Sequence, residues 1–341
     1  MSSPRTGKIL GLDGLRTIAL FGVLFFHMFP NAVSGGYFGV ILFFVISGFL
    51  SGYSSSLNRE GKLLPYYARR AKRIYPALVI MIFIAVEMIA ILDHFRLQNA
   101  WEEILSVLLG YNNYWQIYKR ADYFANLASG SAFTHLWYIS ILMQFELVWP
   151  LLFRFVFSHG KEKTLFRIFL GSLAIMPVLS FLPSVSKSLL YYGTLSRIHA
   201  LLGGAWLGMR RGRRKRMGRM KPVISLVLLL LFVLTTVWIF LQADGRKDWV
   251  YHFGMAGYAL LSLVALTVLL MDQRRAGPLL ELPVFAFFSR YSYEIYLWQM
   301  PVLFVFGLKG LNTSTWHFVL QGLVLLLLSV WTNTVVSRLF P

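Results

Sequence analysis

The chain contains no cysteine, which excludes a disulfide framework, a thiolate nucleophile and any Cys-ligated metal. It is also short of charge: 14% of its 341 residues are Asp, Glu, Lys or Arg, where a soluble domain carries about 25%. The shortage is one-sided, with 14 acidic residues against 33 basic ones. Apolar residues make up 57% of the chain, and the mean hydropathy is +0.62. A water-soluble enzyme, a disordered chain and a fibrous repeat are excluded by these values. The apolar runs are continuous over about 20 residues, not alternating over ten, so a β-barrel is excluded too. The expected fold is an all-α polytopic membrane protein.

Ten apolar segments are expected as spans, near 10–30, 38–57, 74–92, 135–157, 164–182, 194–209, 222–242, 251–271, 285–306 and 315–337. The stretch 93–134 is polar and aromatic, and its weak helix near 101–118 reads as interfacial or re-entrant. With both termini cytoplasmic, inner segments hold 22 basic residues and outer segments seven, the asymmetry of a positive-inside topology. Arg5, Lys8, Arg59, the run RRGRRKRMGRMK at 210–221, Arg274, Arg275 and Arg338 lie on the inner side. The excess of basic residues is therefore read as a topology anchor and not as a nucleic-acid surface. Asp13, Arg16 and His27 interrupt the first apolar run, so it is expected to stay as a span and not to be cleaved as a signal. Residues 1–341 are read as one transmembrane domain.

Ionisable groups inside a membrane are costly, which makes each a functional candidate. Arg16 and His27 are eleven residues apart, three helical turns, so they share a face roughly 16 Å apart along the axis. Asp13 precedes Arg16 by about one turn and can partner it. Arg69, Arg70 and Arg73 cluster at the inner mouth of the third span, spaced to clamp phosphates or merely to anchor topology. His135 and Glu146 repeat the eleven-residue spacing, and an Arg16–Glu146 pair is one use of the buried acid. Ser140 and Gln144 form a second polar pair at i,i+4. Arg197, His199, Glu87, Arg290 and Glu294 complete the set, with Arg290 and Glu294 placed to satisfy each other. Ser47, with Gly39 and Gly48, marks a face where helices approach closely. The histidines are scattered singly, and no metal site is expected.

The segments LDGLRTIALFGVLFFH, GVILFFVISGFL, RRAKRIYP, HLWYISILMQFELVWP and SYEIYLWQMP, in this order, resemble the acyltransferase-3 family of integral-membrane, acyl-CoA-dependent acyltransferases. The resemblance implies transfer of an acyl group, usually acetyl, from cytoplasmic acyl-CoA to a carbohydrate or glycolipid hydroxyl at a bacterial inner or plasma membrane. It implies that Arg16 and His27 are the essential first-span pair, and that Arg70 and Arg73, with Arg69 beside them, meet acyl-CoA. Supporting candidates are Asp13, Ser47, His135, Trp137, Glu146, Arg197 and Tyr293. Acetyl-CoA is expected as donor substrate, with no permanently bound cofactor, and membrane lipids and the acceptor glycan as the other partners. Ile41, Leu142, Met143 and Gln299 stand where the family usually has acids or, at the last position, a histidine. The sequence resembles the stand-alone members that lack an SGNH-type domain. A transporter or flippase of a lipid-linked sugar is the rival class, since it too needs many spans and buried charge.

Overall fold

Without water to bond to, a segment in hydrocarbon must satisfy its N–H and C=O groups internally, so the long apolar runs become helices. The computed structural model describes residues 9–57, 62–97, 100–120, 123–124, 131–157, 161–214, 217–218, 220–273, 275–310 and 314–340. Of the basic residues that set the expected topology, Arg5, Lys8, Arg59, Lys215, Arg216, Arg219 and Arg274 lie outside these. Among the described residues there is no strand. The helices are α1 (Leu12–Met28), α2 (Gly39–Leu57), α3 (Leu63–Asp93), α4 (Ala100–Leu108), α5 (Asn112–Tyr118), α6 (Trp137–Leu152), α7 (Glu162–Leu173) and α8 (Ile175–Ser180). They continue as α9 (Lys187–Tyr192), α10 (Thr194–Arg213), α11 (Pro222–Gln242), α12 (Met255–Met271), α13 (Ala276–Leu279), α14 (Pro283–Arg290), α15 (Ser292–Leu308) and α16 (Thr315–Leu339).

Seven described helical stretches are long and apolar enough to cross a membrane: Gly36–Leu57, Leu63–Asp93, Thr134–Phe157, Glu162–Ser180, Pro222–Gln242, Val250–Met271 and Thr315–Leu339. The chain is a multi-pass membrane protein. The other three expected spans are helical but fall short. Helices α1 and α15 have 17 residues each, and α10 has 20 but ends in a basic turn. The expected segment 285–306 is cut at Tyr291, between α14 and α15. These three helices carry Arg16, His27, Arg197, His199, Glu294 and Gln299, and the same polar groups that suggest function shorten the apolar run.

Where one helix was expected over 101–118, the chain makes two, α4 and α5, turning at Gly110 with φ +74°. Helix α4 buries two polar side chains, Glu103 and Ser106, beside Ile104 and Val107, and leaves Trp101 exposed. Burial pushes the Glu103 carboxyl above its ordinary value, and it accepts from Gln116 Nε2 at 2.8 Å and Thr134 Oγ1 at 3.4 Å.

The tightest seam joins α2 to α10. A Cβ on Gly48 or Gly52 would strike the Leu201 or Ala205 carbonyl, and one on Gly204 or Gly208 would strike Val45 or Phe49. Small residues four apart on both helices let the backbones meet, which is how membrane helices gain packing without a hydrophobic drive. Helices α1 and α6 pack on α2 beside this seam, and α15 packs on α1 and α3.

Candidate active site

Helix α1 has a polar group near each end, and each end meets a different environment. At the Arg16 end, α1, α2, α3, α6, α14, α15 and α16 surround a cavity of about 500 Å³. Five basic side chains line it (Arg16, Arg70, Lys72, Arg73 and Arg290) against three acidic ones, Asp13, Glu146 and Glu294. The net charge of the lining is positive, which suits a polyanion.

The cations are not equivalent. Arg70 Nε lies 3.1 Å from Glu146 Oε2, and Arg70 Nη2 donates to Ser51 Oγ at 3.3 Å. Ser51 Oγ donates to Glu146 Oε1 at 2.7 Å, and the Tyr66 hydroxyl donates to Glu146 Oε2. Glu146 is thus partnered by Arg70 and not by Arg16, because α6 brings it beside the start of α3. No described residue makes a hydrogen bond or ion pair with Arg16 or Arg73, so both guanidiniums are left for a ligand. Arg69 is exposed and does not line the cavity; its position on α3 turns it away from Arg70 and Arg73. Asp13 Oδ1 accepts from Ser289 Oγ at 2.7 Å, and the Tyr293 hydroxyl donates to the Ile74 carbonyl at 2.8 Å, tying α15 to α3. Ser47 lines the cavity from α2. Glu294 Oε1 accepts from Asn333 Nδ2 at 2.9 Å, in place of the expected Arg290. Arg290 lies over the Tyr291 ring instead.

His27, at the other end of α1, does not line this cavity. Its Nδ1 lies 3.1 Å from Gln299 Oε1 and its Nε2 lies 2.7 Å from Tyr123 Oη. Gln299 Nε2 donates to the Tyr296 carbonyl at 3.2 Å, so the amide oxygen faces the imidazole. An amide oxygen only accepts, so Nδ1 carries the proton and the Nε2 lone pair faces Tyr123 Oη. Burial raises the Tyr123 phenol above its ordinary value, and it stays protonated as the donor to Nε2. Gln299 therefore fixes the basic tautomer by accepting from Nδ1–H. Tyr123 sits in a polar segment without periodicity, and no sequence signal marked it.

Between the two ends stand Tyr138 and Tyr296, which line the cavity with rings 5.2 Å apart. The Tyr296 hydroxyl donates to the His135 carbonyl. His135, 1% exposed, lies 3.1 Å by Nε2 from the Leu297 carbonyl, and its Nδ1 has no partner among the described residues. Eleven residues before Glu146, it lies by the His27 end, while Glu146 lines the cavity at the other. Ser140 and Gln144 do not bond each other. Ser140 accepts from the Asn112 amide, and Gln144 bonds Gly110, Asn113 and Thr194. Arg197, 2% exposed, donates to the Tyr191 carbonyl at 2.9 Å and lies over the Trp137 and Tyr191 rings. His199 is buried, and among the described residues neither ring nitrogen has a hydrogen-bond partner.

YrhL of Bacillus subtilis (strain 168), named as a candidate peptidoglycan O-acetyltransferase, is 27% identical over 342 residues, covering 94% of this chain and 53% of that protein. The O-acetyltransferase OatA of Staphylococcus aureus (strain NCTC 8325 / PS 47) is 30% identical over 316 residues, covering 89% of this chain and 51% of its own length. The chain thus spans about half the length of these curated relatives. No solved structure matches. The family model described as an acyltransferase domain matches residues 9–338, nearly the whole length, and the chain belongs to the acyltransferase-3 family.

Proposed function

We propose that the protein is a membrane O-acetyltransferase that takes acetyl from cytoplasmic acetyl-CoA and passes it to a hydroxyl of a cell-envelope glycan. The observation that carries this reading is the pair Arg16 and Arg73, which have no hydrogen bond or ion pair among the described residues, in a net-positive cavity at one end of the helix whose other end holds His27. The CoA phosphates bind at Arg73 and its neighbours, where charge-assisted contacts replace their hydration. The pantetheine arm runs along α1 past Tyr138 and Tyr296, and delivers the thioester to His27. Arg16 lies about 16 Å from His27 along the axis, too far to meet the reacting carbonyl, so it holds the donor.

A sugar hydroxyl is a weak nucleophile, and a neutral imidazole with an unprotonated Nε2 can take its proton. His27 acts as that base, with Gln299 keeping its tautomer. The relatives named as O-acetyltransferases, one of them toward peptidoglycan, support acetyl and a glycan as the two halves of the reaction. The ten-span arrangement with both termini inside is part of the same reading: α1, α10 and α15 cross as members of the bundle, and the Arg16 end faces the cytoplasm.

The experiment uses the chain's lack of cysteine, since the only thiol that can appear is that of released CoA. Purified protein in lipid nanodiscs is given acetyl-CoA with and without a soluble glycan. Thiol release that depends on the glycan, and glycan that gains acetyl by mass spectrometry, are expected. Binding of acetyl-CoA with no transfer to any glycan would overturn the reading.

A further inference from the structure

Tyr123 faces two ways. Its hydroxyl meets His27 Nε2, and it also lines a second cavity of about 260 Å³, which His27 does not line. The walls of this cavity include Tyr123, Phe124, Tyr191 and Tyr251, with Lys187 and Arg246. Tyr123 and Tyr191 are stacked at 4.5 Å, and Phe124 meets Tyr191 edge-on at 5.1 Å. The buried Arg197 lies 4.7 Å from the Tyr191 ring centre and fixes it from behind. Lys187 Nζ donates to the Arg246 carbonyl at 2.7 Å and pairs with Asp248 at 2.8 Å, which anchors the polar part of the lining. A Cβ at Gly245 would strike the Phe124 ring, so that position must stay small for the wall to close.

Tyr123 is stacked between Tyr191 and Phe26, so the aromatic rings meet the cavity by their edges and phenol groups, and with Lys187 and Arg246 beside them they suit a sugar, whose C–H groups pack on apolar edges while its hydroxyls bond sideways. The volume takes one hexopyranose unit. We propose that this cavity seats the acceptor sugar and that Tyr123 passes the proton of the sugar hydroxyl to His27. The inference rests on the acetyl-transfer reading above and adds where the acceptor binds and how its proton leaves.

In the step, the sugar oxygen forms the new C–O bond to the acetyl carbon, and the C–S bond of the thioester breaks. The sugar proton goes to Tyr123 Oη as the Tyr123 proton goes to His27 Nε2. The imidazolium then gives its proton to the departing thiolate, leaving CoA as the free thiol and both side chains as they began. Tyr123 is a catalytic residue in this scheme, since it touches the reacting hydroxyl.

The test uses the full chain in nanodiscs, acetyl-CoA, and a pentamer of N-acetylglucosamine as acceptor probe, with thiol release as the readout. Tyr123→Phe keeps the ring and removes the relay. It is expected to lower kcat by about 100-fold while the acceptor KM and acetyl-CoA affinity stay within about twofold. Ser188→Trp fills the cavity from α9, and is expected to raise the acceptor KM by about tenfold or more with acetyl-CoA affinity unchanged. Thermal unfolding of each sample confirms that it is folded. A Tyr123→Phe protein turning over at the wild-type rate would show the phenol to be a mere place-holder for the acceptor hydroxyl, and the relay fails. An unaltered KM in Ser188→Trp would move the sugar elsewhere. Wild-type protein that releases no thiol with the pentamer overturns the acetyl-transfer reading itself, an outcome distinct from either variant's.

Discussion

Glu146 holds Arg70 at 3.1 Å, while Arg73, three residues further along the same helix, lines the same cavity without an ion pair to any described residue. Two arginines that look alike in sequence therefore do different work. Arg70 compensates a buried carboxylate that also takes hydrogen bonds from Ser51 and Tyr66. Arg73 is free to meet a phosphate.

Exchanging each arginine for alanine separates these roles. Arg73→Ala should weaken acetyl-CoA binding by about 10- to 150-fold, the 1.5–3 kcal/mol of one charge-assisted contact, with little change in melting temperature. Arg70→Ala should instead destabilise the fold by about 3 kcal/mol, because it strands Glu146 in a buried site. Calorimetric titration with acetyl-CoA and a melting curve on each detergent-purified variant decide the matter. Equal loss of affinity in both, with equal melting, would remove the distinction.

A second expectation concerns pH. Burial raises the Glu103 carboxyl relative to an unfolded chain, so the folded state binds its proton more tightly. Its contribution is complete below the unfolded carboxylate value and is lost as pH rises through the higher folded value. Wild-type protein should therefore melt a few degrees lower at pH 8 than at pH 5, and Glu103→Gln should flatten this slope while keeping the acceptor oxygen for Gln116 and Thr134. Parallel melting curves for the two proteins across that range would assign the slope to other groups.

The Arg16–His27 relationship could be read from the sequence because both residues lie on one continuous apolar run, where helical period alone sets their faces. The partner of Glu146 could not, since pairing across α3 and α6 depends on packing and not on spacing. Arg69 joined the cluster on proximity in sequence, and the turn of α3 takes it away from the cavity. Tyr123 left no mark at all: it lies in a polar segment without periodicity, and its importance comes only from the residue it meets. The count of spans was read from apolarity, and that signal weakens in α1, α10 and α15, where polar groups and short length interrupt it. Gly110, followed by a polar Tyr-Asn-Asn step, was the available sign that the 101–118 stretch would break in two.

Because the chain has no native cysteine, single cysteines report topology against a silent background. Met217→Cys and Arg338→Cys should be protected in intact cells from a membrane-impermeant maleimide, while Lys247→Cys and Lys309→Cys should be labelled. The expectation follows from the basic residues around 210–221 and the odd number of crossings between positions 217 and 309 when α15 spans. Labelling of Met217→Cys and Lys309→Cys to the same extent would remove α15 from the crossing helices and invert one end of the bundle.

The sharpest expectation falls on the imidazole at the end of α1. His27 receives Tyr123 at Nε2 and lies against Gln299 at Nδ1, so its orientation and tautomer are both set before any substrate arrives. His27→Gln keeps a hydrogen-bonding side chain of similar reach but cannot take a proton. Turnover should fall by about 100- to 10,000-fold, the usual cost of losing a general base, while acetyl-CoA affinity stays unchanged because the donor cavity is formed by other residues. Gln299→Leu removes the acceptor that fixes the tautomer, together with the bond to the Tyr296 carbonyl, and should cost turnover less than His27→Gln, again with donor binding intact. Thiol release and acetyl-CoA titration on the same preparations give both numbers, and a melting curve excludes unfolding as the cause. If His27→Gln turns over at close to the wild-type rate, proton abstraction at this position is excluded and the imidazole serves only to hold α1 against α15.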